Sequence, residues 1–303
     1  MEFWFRSVRG TVPLIVRRNL LEELFMSRML VVTLTVVLAV LMLPAQQLHR
    51  THSDFAKKAT VQVVNSSASV VANFPRPLLQ ALMGIAEQYA WTINYEDPLY
   101  SSGELIDDTN PQWRALHPQA GGTRIPVGGV FRASFPVSPN MERGSEGERV
   151  ALQKLVADYN QSGNPGKFAL LPPAKGFFSV VGKSTRGTAM GQSILDTPVS
   201  FSSASRTANA TIDLVLEQVT AKTGIAIVKG VTPLNVTALN RVSVGGTAVP
   251  ARDLLQQTIA QMPIKLVWHL LFDPDQGAYY FNLAKVTQTH RDSLGNEVIE
   301  PIP

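Results

Sequence analysis

The chain has 303 residues, 45% hydrophobic and 17% charged, which excludes a disordered chain. It has no cysteine, so a disulfide framework, a thiolate metal site and a cysteine nucleophile are excluded as well. The formal charge is +4, but five arginines and three glutamates sit in residues 1–45, so the rest is nearly neutral; with no Lys/Arg block, no nucleic-acid partner is expected.

In chain order, Met29 to Leu43 (MLVVTLTVVLAVLML) is uncharged and follows Arg17, Arg18 and Arg28. A positive segment before an apolar run is the pattern of an export signal. The run is short for a membrane span of about 20 residues. Residues 1–45 therefore read as an N-terminal extension plus a signal peptide or retained signal-anchor (apolar 29–43), with the body outside the cytoplasm, either periplasmic or anchored to the inner membrane as a transmembrane helix. Residues 46–58 read as a polar linker.

Thr60 to Val64 alternates and predicts a strand, which Ser66 to Ser69 breaks. Pro77 opens a helix to about Tyr89 with the stripe Leu78, Leu82, Ile85 and Ala86, and Trp91 to Tyr95 is the next strand. Glu96 to Gly129 is punctuated by proline and glycine and reads as an inserted loop, the kind of segment that is functional or disordered. Val130 to Val137 is an edge-strand candidate, Glu146 to Tyr159 a helix, and Phe168 to Leu171 with Gly176 to Val181 a hairpin around Pro172 and Pro173. Residues 184–198 read as a linker.

In the second half, Val199 to Phe201 predicts a short strand and Asn209 an N-cap. Ile212, Val215, Leu216 and Val219 stripe a helix that Gly224 ends. Ile225 to Lys229 and Arg241 to Gly245 are strands, with Val242 to Val244 a second edge candidate. Pro250 starts a helix with Leu254, Leu255, Ile259 and Met262 on its face, and Lys265 to Phe272 with Ala278 to Ala284 closes as a hairpin. Residues 287–303 read as a loose polar tail.

Leu82, Ile85, Ala90, Trp91 and Ile93 share a frame with Leu216, Val219, Gly224, Ile225 and Ile227, 134 residues later. The reading is an α+β protein of two small βαββαβ-type units, residues 59–183 (with the 96–129 loop inserted) and 199–286, each with two helices packed on a small mixed sheet.

The run NATIDLVLEQVTAKTGIAIVKG, then RVSVGGTAVPARDLLQQTIAQMPIKLVWHL, then AYYFNLAKV, carries a Thr-Gly before an apolar strand (Thr223, Gly224), a Val-x-Val strand (Val242, Val244), a Leu-Leu pair (Leu254, Leu255) and an aromatic closing hairpin (Trp268, Tyr280). It resembles the short N-terminal domain shared by secretins and TonB-dependent receptors, over about residues 197–286. Residues 60–95 fit the same pattern until the loop interrupts it. The resemblance implies protein–protein recognition in the cell envelope. In that family the domain precedes a channel or barrel; here the sequence stops at Pro303 with neither, and a freestanding tandem is expected.

Catalytic signals are sparse. Glu104, Asp107, Asp108 and His117 are the acid/base candidates of an alternative reading, an envelope hydrolase or carbohydrate-binding enzyme sited in the 96–129 loop. They follow no metal-ligand spacing, so no metal is expected. Gly182-Lys183-Ser184 lacks the earlier glycine of a phosphate loop because Phe177 stands there, and no cofactor is expected. Trp113, Tyr95 and Tyr100 are the binding candidates, with Glu96 and Asp97 as an acidic rim, since aromatics concentrate at recognition hot spots. Trp91 reads as core, and alternation places His269 on an exposed or edge position. The expected activity is non-enzymatic docking of an envelope protein, through sheet edges or the 96–129 loop, with membrane contact through residues 29–43 if they are retained.

Overall fold

The computed structural model describes residues 59–73, 75–100, 102–107, 115–116, 124–126, 128–137, 145–183, 193–291, 293 and 295–303. The chain divides into Met1–Ala56 and Lys57–Pro303. The export segment at 29–43 and the 46–58 linker lie outside the described residues. Among those described, no helix is long and apolar enough to cross a membrane.

The first half runs β1 (Thr60–Val64), β2 (Ser67–Ala72), α1 (Pro77–Tyr89), β3 (Ile93–Glu96), β4 (Leu105–Asp107), β5 (Arg124–Pro126), β6 (Phe131–Pro136), α2 (Glu146–Gln161), β7 (Lys167–Leu170) and β8 (Phe178–Lys183). The second runs β9 (Pro198–Thr207), α3 (Ala208–Thr223), β10 (Ile227–Lys229), α4 (Leu234–Thr237), β11 (Arg241–Pro250), α5 (Ala251–Ile259), β12 (Leu266–Asp273) and β13 (Ala278–Lys285). A last ribbon follows, β14 (Thr287–Arg291) and β15 (Glu297–Pro301).

Helices and mixed sheets make the fold α+β. In the first half β2 pairs antiparallel with β6, β3 parallel with β8, and β7 antiparallel with β8. In the second half β9 pairs antiparallel with β11, β10 parallel with β13, and β12 antiparallel with β13. The same pairing scheme thus occurs twice. The halves do not keep separate sheets, however. β12 pairs parallel with β3, giving one six-stranded sheet in the order β10-β13-β12-β3-β8-β7.

Each half has its own apolar cluster. Trp91, Leu82, Ile85, Phe131, Leu152 and Phe168 belong to the first; Trp268, Ile212, Leu216, Leu254 and Phe281 belong to the second. The clusters interlock at the shared sheet. Leu271 packs with the first, and Tyr100 and Phe177 with the second.

Several expectations change. A second strand, β2, occupies the segment expected to break β1; Asn65 and Ser66, both at positive φ (48° and 62°), make a two-residue turn whose twist suits a hairpin. Among the described residues β1 has no counterpart in the second half, where β9 pairs with β11. β9 is ten residues long, far beyond Phe201. The N-cap of α3 is Thr207, whose hydroxyl accepts the Ala210 N–H, not Asn209. Gly224 closes α3 at φ 70°. The end of the 184–198 linker is anchored, because Ser193 and Asp196 form a capping box and Leu195 is fully buried.

The tail is ordered rather than loose, since β14 pairs with β15 and Ile302 is buried. The Ile302 N–H donates to Val286 O, and its carbonyl accepts from Lys265 N–H, so burial and main-chain pairing hold it together. Within the 96–129 stretch, β4 and β5 pair as a small hairpin. The Arg124 side chain reaches Asp275 at 2.7 Å, in the turn between β12 and β13.

Candidate functional site: a buried polar seam and the sheet edges

The junction of β3 with β12 is built around two adjacent carboxylates. Arg76, the residue that caps the start of α1, meets Asp97, the residue that follows β3. Asp97 is buried and collects four donors: Arg76 Nε at 2.7 Å, Tyr95 OH at 2.7 Å, Tyr100 OH at 2.8 Å and Phe272 N–H at 2.9 Å. Its own N–H donates to Leu270 O at 2.8 Å, and Arg76 Nη2 reaches Phe272 O at 2.8 Å. One side chain thus fastens the first half to β12. Charge-assisted bonds are the strong kind, and a buried carboxylate requires them.

Glu96, also buried, takes both arms of a fork from Arg252 at the start of α5, Nε to Oε1 and Nη2 to Oε2, each at 2.7 Å. Ser193 donates its hydroxyl to the same carboxylate, and Arg252 also pairs with Asp196. Asn94 accepts the Trp268 N–H at 3.1 Å. Gly182 lets the chain leave β3, since a Cβ there would stand 2.2 Å from Pro98 N.

These contacts redefine the sequence candidates. Tyr95 and Tyr100 are not exposed recognition aromatics; both are buried with their hydroxyls on Asp97. Burial, followed by the Asp97 carboxylate, raises both phenols well above the ordinary tyrosine value, so they stay protonated donors. Glu96 and Asp97 form no acidic rim; they are paired inside the protein. Glu104 accepts the Gly166 N–H at 2.8 Å, tying the loop to the approach to β7. Asp107 lies in β4 opposite Arg124 in the β4–β5 register. Asp108, Trp113 and His117 lie outside the described residues. Among those described, no group of three or more His, Cys, Asp or Glu is placed to hold a metal. Trp91 is core, as expected.

His269 is not at an edge. It sits in β12, a central strand, opposite Tyr95 and Asn282. Burial lowers its pKa from 6.5 to about 4. The folded imidazole is therefore neutral near pH 6, while the unfolded one binds a proton. Stability contributed by this group is present above about pH 6.5 and is lost as the pH falls toward 4. Denaturant melts at pH 7 and pH 4.5 should differ by about 2 kcal/mol less in His269→Gln than in the wild type. An unchanged pH slope would show that His269 is solvated.

The outer edges of the sheets show a second recurring device. Asn160 uses both ends of its amide on β7, accepting Phe168 N–H and donating to Phe168 O, each at 2.9 Å. Gln218 does the same to Ser200 of β9, at 3.0 and 3.1 Å. Gln261 does it to Ser243 of β11, at 3.1 and 3.4 Å. On β10, Thr220 accepts Ile227 N–H and Lys229 is ion-paired with Asp213. Side-chain amides here stand in for a neighbouring strand and blunt edges that would otherwise recruit one. The β11 edge proposed from Val242 to Val244 is thereby closed at Ser243. The β6 edge carries Pro136, which has no N–H to donate, and the exposed Arg132.

No family model, no curated protein and no solved structure matches the chain, so its function is read from geometry and chemistry alone.

Proposed function

We propose that the chain is an exported, non-enzymatic recognition module of the cell envelope, made of two units akin to the secretin and TonB short N-terminal domain and docking a partner protein. The observation that carries this reading is the repeated pairing scheme. In each half the two longer helices (α1 and α2, then α3 and α5) accompany an antiparallel pairing (β2 with β6, β9 with β11) and a parallel-plus-antiparallel triplet. The conspicuous carboxylates, Glu96 and Asp97, are consumed in joining the two units and are not left facing a substrate. Sheets whose described edges are mostly closed suit a scaffold that presents a limited docking surface. The export segment at 29–43 would place that surface outside the cytoplasm.

The test is site-specific photo-crosslinking in cells that make the full chain, with the probe at Val63, which is 48% exposed, and separately at Trp113 in the 96–129 loop. A product that mass spectrometry identifies as an envelope protein, including a second copy of this chain, is the expected result. Folded protein that gives no product at either position, or only cytosolic ones, would overturn the reading.

A further inference from the structure

We propose that the outer edge of β1 docks a second copy of this chain, antiparallel and centred on Gln62; the inference rests on the edge-docking reading above and names its partner. Among the described edge strands, β7, β9 and β11 are clamped by amides and β10 by Thr220. β6 ends in Pro136. The two small ribbons carry charge, with Asp107 and Arg124 on one and Arg291, Glu297 and Glu300 on the other. β1 has none of these protections. Its sequence, Thr60-Val61-Gln62-Val63-Val64, is uncharged and β-prone.

The comparison between halves explains why. Gln218, which closes β9, lies 134 residues after Gly84, the same offset that aligns the two frames. A Cβ at Gly84 would stand 3.1 Å from both Ala59 Cβ and Val61 Cγ2. Where the second half has a glutamine sealing the edge, the first has a glycine that admits an added strand. The added strand then presents its own edge.

That edge complements itself. The two-residue turn makes Val64 and Ser67 the hydrogen-bonded pair beside it, so the main-chain groups of Val61 and Val63 point away from β2. An antiparallel partner centred on Gln62 sets Val63 of one copy opposite Val61 of the other. Val61 and Val63 lie across from Val70 and Ala68, both fully buried. Pairing would therefore continue the buried apolar row through Val63 and cover it. No residue from Ala59 to Asn73 is ionisable, so two copies meet without like-charge repulsion. A two-fold contact of this kind is isologous and closes at a dimer, giving a six-stranded sheet in the order β6-β2-β1-β1-β2-β6.

The chain lacks cysteine, so single-cysteine variants of the full chain report the contact. The two Gln62 residues would form the narrow, non-hydrogen-bonded pair, whose spacing fits a disulfide. Gln62→Cys should form an oxidised dimer, whereas Val64→Cys should not, although Val64 is 63% exposed, because it lies off the axis. Sedimentation velocity should show a concentration-dependent dimer, weakened about tenfold or more by Val63→Lys. The thermal midpoint of dilute Val63→Lys, matched to wild type, separates a lost contact from a lost fold. A monomer at every concentration with no Gln62→Cys crosslink overturns the proposal. If that monomer still crosslinks through Val63 to another envelope protein in cells, the recognition reading stands and only self-pairing falls. If neither product forms at Val63 or Trp113, both fall.

Discussion

Asp97→Ala is expected to cost about 4 kcal/mol or more, the largest effect of any single substitution considered, because one small change strips four buried donors of their acceptor. Arg76 loses the carboxylate beside it, Tyr95 and Tyr100 lose the partner of their hydroxyls, and Phe272 N–H loses its side-chain cap. Burial alone disfavours the charged Arg76, and Asp97 is the leading influence holding that charge in place. Water has little access, since the Asp97 side chain is fully buried and that of Arg76 nearly so. For a body of this size the loss corresponds to a fall of roughly 10 °C in the melting midpoint. Asp97→Asn keeps one acceptor oxygen but turns an NH2 toward donors, so it should cost somewhat less. Tyr95→Phe and Tyr100→Phe should each cost about 1 kcal/mol. Guanidinium melts followed by tryptophan fluorescence measure all four. A loss below about 1 kcal/mol for Asp97→Ala would show that water replaces the missing carboxylate.

The legible parts of this fold were those with local signals. Leu78, Leu82 and Ile85 recur at helical spacing and form the buried face of α1. Gly224 ends α3 because a left-handed cap needs no Cβ. The apolar strands Leu266–Asp273 and Ala278–Lys285 close as the expected hairpin. What was not legible depended on partners far apart in sequence. Nothing local to Tyr95 says that its hydroxyl meets Asp97 and its strand meets β12, so an exposed hot spot and a buried donor look alike. The same holds for Arg252, 156 residues from the glutamate it grips. Two signals were available. Asn65-Ser66 between valine-rich runs is the composition of a tight hairpin turn, and it marks β2. Two acidic residues directly after an apolar strand, with an arginine entering α1 and another in the first turn of α5, fit buried pairing as well as an acidic rim. The joining of the halves through β12 and β3 had no signal at all, because edge pairing depends on main-chain groups that every sequence possesses.

Arg252→Met tests whether the second carboxylate holds the two halves as firmly as the first. The substitution keeps an unbranched, partly apolar side chain at the start of α5 and removes both forked bonds to Glu96 and the pairing with Asp196. Glu96 then remains buried with the Ser193 hydroxyl as its surviving side-chain donor. The expected loss is about 3 kcal/mol, smaller than at Asp97 because Asp196 is partly exposed and rehydrates. Most of this is the penalty of an uncompensated charge rather than the worth of the pair. The double variant Glu96→Gln/Arg252→Met should therefore be more stable than the sum of the two single losses predicts, by about 2 kcal/mol. Strict additivity would mean that the two groups do not act as a pair. The double variant also separates stability from geometry. The hydrogen bonds from Asp97 N–H to Leu270 and from Trp268 N–H to Asn94 remain in it, so β3 and β12 stay paired and the two halves keep their register. Limited proteolysis should then cut the double variant no faster between the halves than the wild type, while Arg252→Met alone opens there first.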